Sequence, residues 1–231
     1  MFLGHYAVGF ALKRVEPKVR LGTLLFCTLL VDVAWGAFIL LGWERARVIP
    51  GFLPASAFEF LDYPITHSLV AAFLWGLGAA AIYYTWPTKD TSQHHRLGAL
   101  MVGIAVASHW VLDFVSHTRD MPLAGSDSTK VGLGLWKSLP ATMAVELGLL
   151  AAGIAIYLRW RNRGHTGSVS RVAILAAVLV AAYLASVFAP PPANMKPVGI
   201  GAIVSGFLAW GLGNWVDIKI ARGAPSGQSG R

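Results

Sequence analysis

The sequence contains little charge and almost no cysteine. Only 13% of its 231 residues are charged and 55% are hydrophobic, whereas about a quarter of the residues of an ordinary soluble domain are charged. This composition excludes both a soluble domain and a disordered chain. The single cysteine, Cys27, excludes a disulfide framework and a thiolate metal site. What the chain does contain is long apolar runs, which are typical of a protein that lies in a lipid bilayer.

Six apolar segments are long enough to cross a bilayer core of about 30 Å. They are residues 21–41, 65–86, 97–117, 139–158, 172–189 and 198–216. A shorter apolar stretch, residues 2–12, cannot span and is predicted to form a half-helix covered by protein. The predicted fold is therefore all-α, a polytopic membrane helical bundle of about six transmembrane helices plus this N-terminal half-helix. We expect one domain over residues 1–222 and a disordered Gly/Ser-rich tail over 223–231.

The net charge is +8, and the basic residues that produce it are distributed unequally between the two sides of the predicted spans. Thirteen of the 19 Lys and Arg residues fall on one side of the spans, and the positive-inside rule makes that side cytoplasmic. Loops 42–64, 118–138 and 190–197 are then extracytoplasmic, and the C-terminus is cytoplasmic. The basic excess is explained by topology, so we expect the bilayer as partner and no nucleic acid.

The spans contain no Lys or Arg but carry three carboxylates, Asp32, Asp113 and Glu146. A charge at the centre of a membrane helix costs about 2.5 to 3.5 kcal/mol, so such residues usually mark a functional interior. His67 and His109 also lie in predicted spans, the second and the third. Imidazole together with carboxylate is a ligand set for Zn, Mn or Fe, and a cation or a proton is needed to balance the acids.

These five side chains agree in depth when each helical residue is given a rise of about 1.5 Å. Asp32, His109 and Asp113 lie about 16, 18 and 24 Å from the cytoplasmic ends of their spans. His67 and Glu146 lie about 3 and 10 Å from the outer ends. All five fall between the midplane and the outer face, which predicts a single site.

His109, Asp113 and His117 are spaced four residues apart, so they share one helix face. His109 and His117 are separated by about 12 Å along the axis, too far for both to bind one ion. The predicted core pair is therefore His109 and Asp113, with His117 either holding a second ion or lying outside the ligand shell. Asp113 could bridge two ions about 3.5 to 4 Å apart, the spacing that suits phosphoester hydrolysis.

The first half of the chain, to about residue 120, resembles the YdjM-like family of bacterial inner-membrane proteins, which are predicted to be metal-dependent hydrolases. The motifs that carry the resemblance are His5, Asp32, Thr66-His67-Ser68, and Ser108-His109 with Asp113. The resemblance implies that His5, Asp32, His67, His109 and Asp113 are metal ligands or their direct partners. His5 is selected by this resemblance and not by the spacing of the residues. The chain departs from the family at Asp62-Tyr63-Pro64-Ile65, where the family often has an Arg-Gly turn whose arginine could hold a phosphate.

The sequence thus predicts a membrane-embedded metal-dependent hydrolase that faces the extracytoplasmic side and acts on a phosphoester or lipid-linked substrate. One or two divalent ions are expected, Zn first, with Mn or Fe as alternatives. Asp113 and Glu146 are the predicted catalytic residues, with Glu146 a general base, a further ligand, or a protonated acid bonded to a neighbouring helix. Three alternatives stay open: a transporter or proton-coupled carrier, a b-type haem held by His67 and His109, and a non-catalytic protein with a structural metal.

Overall fold

The computed structural model describes residues 1–86, 93–161 and 168–218. Eight α-helices are found in this part of the chain: α1 Leu3–Val15, α2 Leu21–Leu41, α3 Pro64–His67, α4 Leu69–Thr85, α5 Gln93–Ser116, α6 Leu139–Arg161, α7 Val169–Phe188 and α8 Met195–Asp217. Two antiparallel strand pairs join β1 Arg45–Leu53 to β2 Ser56–Asp62 and β3 Met121–Pro122 to β4 Lys130–Val131. The predicted disordered tail, 223–231, lies outside the described residues.

The predicted all-α membrane bundle is confirmed. Five described helices are long and apolar enough to cross a membrane, namely α2, α5, α6, α7 and α8. The remaining predicted span, 65–86, is shorter, because its apolar helix α4 has 17 residues. The half-helix is also confirmed: α1 has 13 residues, most of them buried.

The second predicted span, 65–86, is interrupted at Ser68. The backbone of Ser68 is extended (φ −78°, ψ 157°), which ends α3, and its hydroxyl accepts a hydrogen bond of 3.0 Å from the Ala71 N–H at the start of α4. Pro64 is the first residue of α3, where its fixed φ suits a helix start. The break sets α3 apart from α4 and leaves His67 as the last residue of α3, where its side chain is buried.

Glycines bring two pairs of helices unusually close together. A Cβ atom built on Gly36 of α2 would lie 2.5 Å from the Gly199 carbonyl oxygen of α8, and one on Gly153 of α6 would lie 2.5 Å from the Ala7 carbonyl oxygen of α1. Side chains larger than hydrogen cannot fit at such distances, so these glycines fix the approach of the backbones. Helix α1 is thereby held inside the bundle.

The three segments predicted to be extracytoplasmic loops lie at one end of the bundle. The first contains β1 and β2, and the Ala55 N–H at their turn donates a hydrogen bond of 3.1 Å to the Trp136 carbonyl in the second. Residues of all three line one cavity. The sequence did not predict the strands. At the opposite end, Lys13 pairs with Asp217 at 2.7 Å.

Candidate metal centre

Four side chains from three helices converge around the carboxylate of Asp113. Its Oδ2 atom lies 3.1 Å from His109 Nε2, one turn earlier on α5, and 3.6 Å from His67 Nε2 on α3. Asp32 Oδ1, on α2, lies 3.4 Å from His109 Nε2 and 3.5 Å from His67 Nε2. Each of the two imidazole nitrogens therefore lies within 3.6 Å of an oxygen of both carboxylates, and Asp32, His67 and His109 offer three ligand atoms that all lie within 4.8 Å of one another.

The spacing of these donors matches one coordination shell. Zinc binds histidine nitrogen and carboxylate oxygen at about 2.0 to 2.2 Å, so two ligands of a tetrahedral site are separated by about 3.3 to 3.6 Å. The four measured separations, 3.4 and 3.5 Å at Asp32 and 3.1 and 3.6 Å at Asp113, fall at or close to this range. The buried His/Asp cluster could therefore hold a metal ion without rearrangement of its backbone.

The orientation of His109 leaves a lone pair facing the cluster. His109 Nδ1 lies 2.8 Å from the carbonyl oxygen of Thr28 on α2. A carbonyl only accepts, so Nδ1 carries the proton and the Nε2 atom of a neutral ring is unprotonated. That Nε2 atom is buried without a hydrogen-bond partner among the described residues. A lone pair directed at two carboxylates is repelled unless a metal ion or a second ring proton lies between them.

His67 is oriented by a relay of two further side chains. Its Nδ1 atom lies 2.7 Å from the Thr66 hydroxyl, and that hydroxyl donates to Glu44 Oε2 at 2.6 Å. Because the Thr66 hydrogen is committed to Glu44, His67 Nδ1 must donate to Thr66, which leaves its Nε2 lone pair towards Asp32 and Asp113. Such outer partners fix the tautomer of metal-ligating histidines.

Glu44 is a functional residue that sequence reasoning missed. It follows α2, outside the membrane-spanning segments, yet it is only 2% exposed. Its Oε1 atom accepts a hydrogen bond of 2.9 Å from the Thr66 N–H. Burial raises the pKa of the Glu44 carboxyl, and the hydrogen bonds from Thr66 oppose this shift. No pattern in the sequence distinguishes Glu44 from an ordinary loop acid.

His5 contacts the second oxygen of Asp113. Its Nε2 atom lies 3.2 Å from Asp113 Oδ1, and its ring stacks on His109 at 3.9 Å with the planes parallel within 1°. The α-amino group of Met1 contacts the same oxygen. His5, His109 and Asp113 form a second possible ligand group, which shares His109 with the group of Asp32 and His67. A single imidazole nitrogen binds one ion, so only one of these groups can use His109 at a time.

Glu146, the predicted general base, binds the backbone of α1. Its two oxygens accept hydrogen bonds from the Phe2 N–H at 2.7 Å and the Gly4 N–H at 2.9 Å. These are orphan donors at a helix N-terminus, which a carboxylate satisfies well. Glu146 belongs to neither ligand group. It lies near the cluster, as its depth predicted, and it holds the helix that carries His5.

His117 lies at the edge of the cluster, in the first position after α5. Its Nδ1 atom is 3.2 Å from the Tyr63 hydroxyl and 3.3 Å from Asp120 Oδ1, and its ring packs on Trp136 with centroids 4.3 Å apart. Its Nε2 atom is 3.9 Å from Asp113 Oδ2. The structure therefore keeps His117 outside both ligand groups, as the spacing on α5 allowed.

One side of the cluster opens into a cavity of about 890 Å³. The side chain of Asp32 is 29% exposed, whereas those of His67, His109 and Asp113 are at most 3% exposed. A small molecule in the cavity can therefore reach the cluster on the side of Asp32. The β1–β2 hairpin and Trp136 cover the cavity at the end of the bundle.

Comparisons with protein-family models, with curated proteins and with solved structures give no match for this chain.

Proposed function

We propose that this protein is a membrane-embedded metal-dependent hydrolase. The observation that carries the proposal is the cluster of Asp32, His67, His109 and Asp113, in which each imidazole Nε2 atom lies 3.1 to 3.6 Å from an oxygen of each carboxylate and one side opens into a cavity. Carboxylates and neutral imidazoles with a free Nε2 lone pair suit one divalent ion at this spacing, and Zn is the first candidate, with Mn or Fe as alternatives.

An ion held there would supply Lewis acidity, which lowers the pKa of bound water and polarises a phosphoryl or acyl oxygen. His67, His109 and Asp113 hold it from the buried side, and Asp32 borders the face that a substrate can approach. His5 orients Asp113 through the other carboxylate oxygen. Glu146 fixes the helix that bears His5, which is a positioning role.

The haem alternative has less support in the geometry, and the carrier alternative is separated from the hydrolase by experiment. A haem between His67 and His109 would need space that carboxylate oxygens of Asp32 and Asp113 occupy, within 3.6 Å of both imidazoles. A proton-coupled carrier would use the same acids and histidines as a relay. Substrate uptake into liposomes that persists in the presence of a chelator would favour that carrier over the hydrolase.

Membership of the YdjM-like family, and with it a bacterial inner-membrane location, is part of the proposal. So is the orientation that places the site on the extracytoplasmic side and the C-terminus in the cytoplasm. Reporter enzymes fused after residue 231 test the orientation. We expect activity of a reporter that works only in the cytoplasm. Activity of a reporter that works only outside the cytoplasm would reverse the proposed orientation.

Activity is tested on purified protein with two ester classes, a lipid phosphate and a carboxylic ester lipid, before and after treatment with a chelator. We expect hydrolysis of one class that is lost with the chelator, restored by the divalent ion, and lost in His109→Ala. His95→Ala is the matched control, because His95 also lies on α5 but packs on Tyr83 and Tyr84, away from the cluster. Hydrolysis that survives both the chelator and His109→Ala would refute the proposal.

A further inference from the structure

The cavity beside the cluster has walls of two different kinds. At one end it is lined by polar side chains, including Asp32, His67 and Asp113. One wall comes from the last turns of α7 and the first turns of α8, mainly from small apolar residues, and the β1–β2 hairpin covers the end. No Lys or Arg is among the described residues that line it. Such a space suits a molecule with one polar end and an uncharged, apolar body.

The cavity is open sideways between α7 and α8. Ala182 and Ala185 of α7 and Gly201 of α8 line the cavity and are also exposed on the surface of the protein. A Cβ atom built on Gly201 would meet no atom within 4 Å. Both helices are long and apolar enough to cross a membrane, so this opening faces lipid and not water.

The opening lies within one leaflet. Helix α7 ends at Phe188 and α8 begins at Met195, so Ala182, Ala185 and Gly201 place the opening about 5 to 9 Å from the ends of these helices near the covering hairpin. The acyl chains of one leaflet occupy this depth, since the whole hydrocarbon core is about 30 Å thick. The cavity volume of about 890 Å³ lies in the upper part of the range for sites that enclose small molecules, about 300 to 1,000 Å³.

We infer that the substrate is a membrane lipid that enters laterally between α7 and α8, with its alkyl chain along the apolar wall and its ester group at the Asp32 side of the cluster. This inference rests on the proposed hydrolase function and specifies its substrate class. The alkyl chain gains binding energy from the small-residue wall, and the sideways opening lets the chain stay in the bilayer while the polar end reaches the cluster.

The experiment uses a diacyl phosphatidic acid with a photoactivatable diazirine in one acyl chain, mixed into phosphatidylcholine vesicles that contain the purified protein. Cross-linked residues are mapped by mass spectrometry. Trp35 and Thr142 line the cavity but are only 5% and 3% exposed, so bulk lipid does not reach them. Labelling of these two residues is the expected result. Labelling confined to outward-facing residues such as Phe207 would overturn the inference.

Gly201→Leu places a larger side chain in the opening, and Gly148→Leu is its matched control, because Gly148 is exposed on α6 and also has no atom within 4 Å of a built Cβ. We expect Gly201→Leu to reduce labelling of Trp35 and Thr142 about tenfold, equivalent to about 1.4 kcal/mol, and Gly148→Leu to leave it unchanged. Equal labelling in the two variants would contradict lateral entry. Ala185→Leu tests the same opening from α7 if Gly201→Leu does not fold.

Metal content measured on the same samples separates this inference from the proposed function. Interior labelling in a protein that binds no metal would refute the hydrolase and leave a lipid-binding cavity. Bound metal without interior labelling would refute lateral lipid entry and leave the metal centre.

Discussion

Replacing Thr66 with valine tests whether the relay from Glu44 to His67 serves the metal centre. The change removes one hydroxyl and keeps the size of the side chain. It breaks the hydrogen bond of 2.7 Å to His67 Nδ1 and that of 2.6 Å to Glu44 Oε2, while the hydrogen bond from the Thr66 N–H to Glu44 stays possible. His67 then loses the partner that fixes its tautomer.

The expected size of the effect follows from the role of such outer partners, whose loss weakens metal binding about 10- to 100-fold, equivalent to about 1.4 to 2.7 kcal/mol. The two buried groups left without this partner also destabilise the fold, by about 1 to 3 kcal/mol each. Metal affinity is measured by competition with a chelator of known strength, and stability by thermal unfolding in detergent.

Two further variants make the test specific. Thr66→Ser restores the hydroxyl and is expected to bind metal within a few-fold of the original protein. Thr85→Val is the matched control, because the Thr85 hydroxyl donates to the Ala81 and Ile82 carbonyls of its own helix, away from the cluster. If Thr66→Val and Thr85→Val bind the metal equally well, the relay does not orient a ligand and the reasoning fails.

Two predictions concern the placement of α1. Glu146→Gln replaces an acceptor oxygen by an amide NH₂ opposite the Phe2 or Gly4 N–H. We therefore expect a loss of about 1 to 3 kcal/mol of stability, with the metal still bound. Glu59→Gln, which alters an exposed ion pair with Arg47, controls for the loss of a charge. Loss of the metal with unchanged unfolding would instead make Glu146 a ligand. Gly153→Ala puts a methyl group 2.5 Å from the Ala7 carbonyl and should lower the free energy of unfolding by about 1 to 3 kcal/mol through overpacking. Gly148→Ala on the same helix should leave it unchanged. Equal unfolding temperatures of the two variants would show that α1 moves freely.

The helices and the centre of the site could be predicted from the sequence because the depth of a residue in the bilayer follows from its position within a span. Apolar length gives the spans, and a fixed rise per residue gives the height of each polar side chain within them. Asp32, His67, His109 and Asp113 agree in height, and the structure brings them together at 3.1 to 3.6 Å. Their role as metal ligands stays a prediction, since proximity alone does not bind an ion.

Other features depend on tertiary packing that no local pattern records. The break at Ser68 lies inside a continuous apolar run, so hydropathy predicts one helix where the structure has two. Glu44 becomes part of the site only because the chain returns through the β1–β2 hairpin to Thr66. Glu146 bonds the Phe2 and Gly4 N–H groups only because α1 packs closely on α6, as the approach of Gly153 to Ala7 shows.

The most direct test of the metal centre is the elemental analysis of purified protein beside Asp113→Ala and the control Asp120→Ala. Asp113 contacts both histidines of the cluster, whereas Asp120 contacts His117 at its edge. The account predicts about one divalent ion per chain in the original protein and in Asp120→Ala, and almost none in Asp113→Ala. An original protein that purifies without a divalent ion and binds none when one is supplied would contradict it.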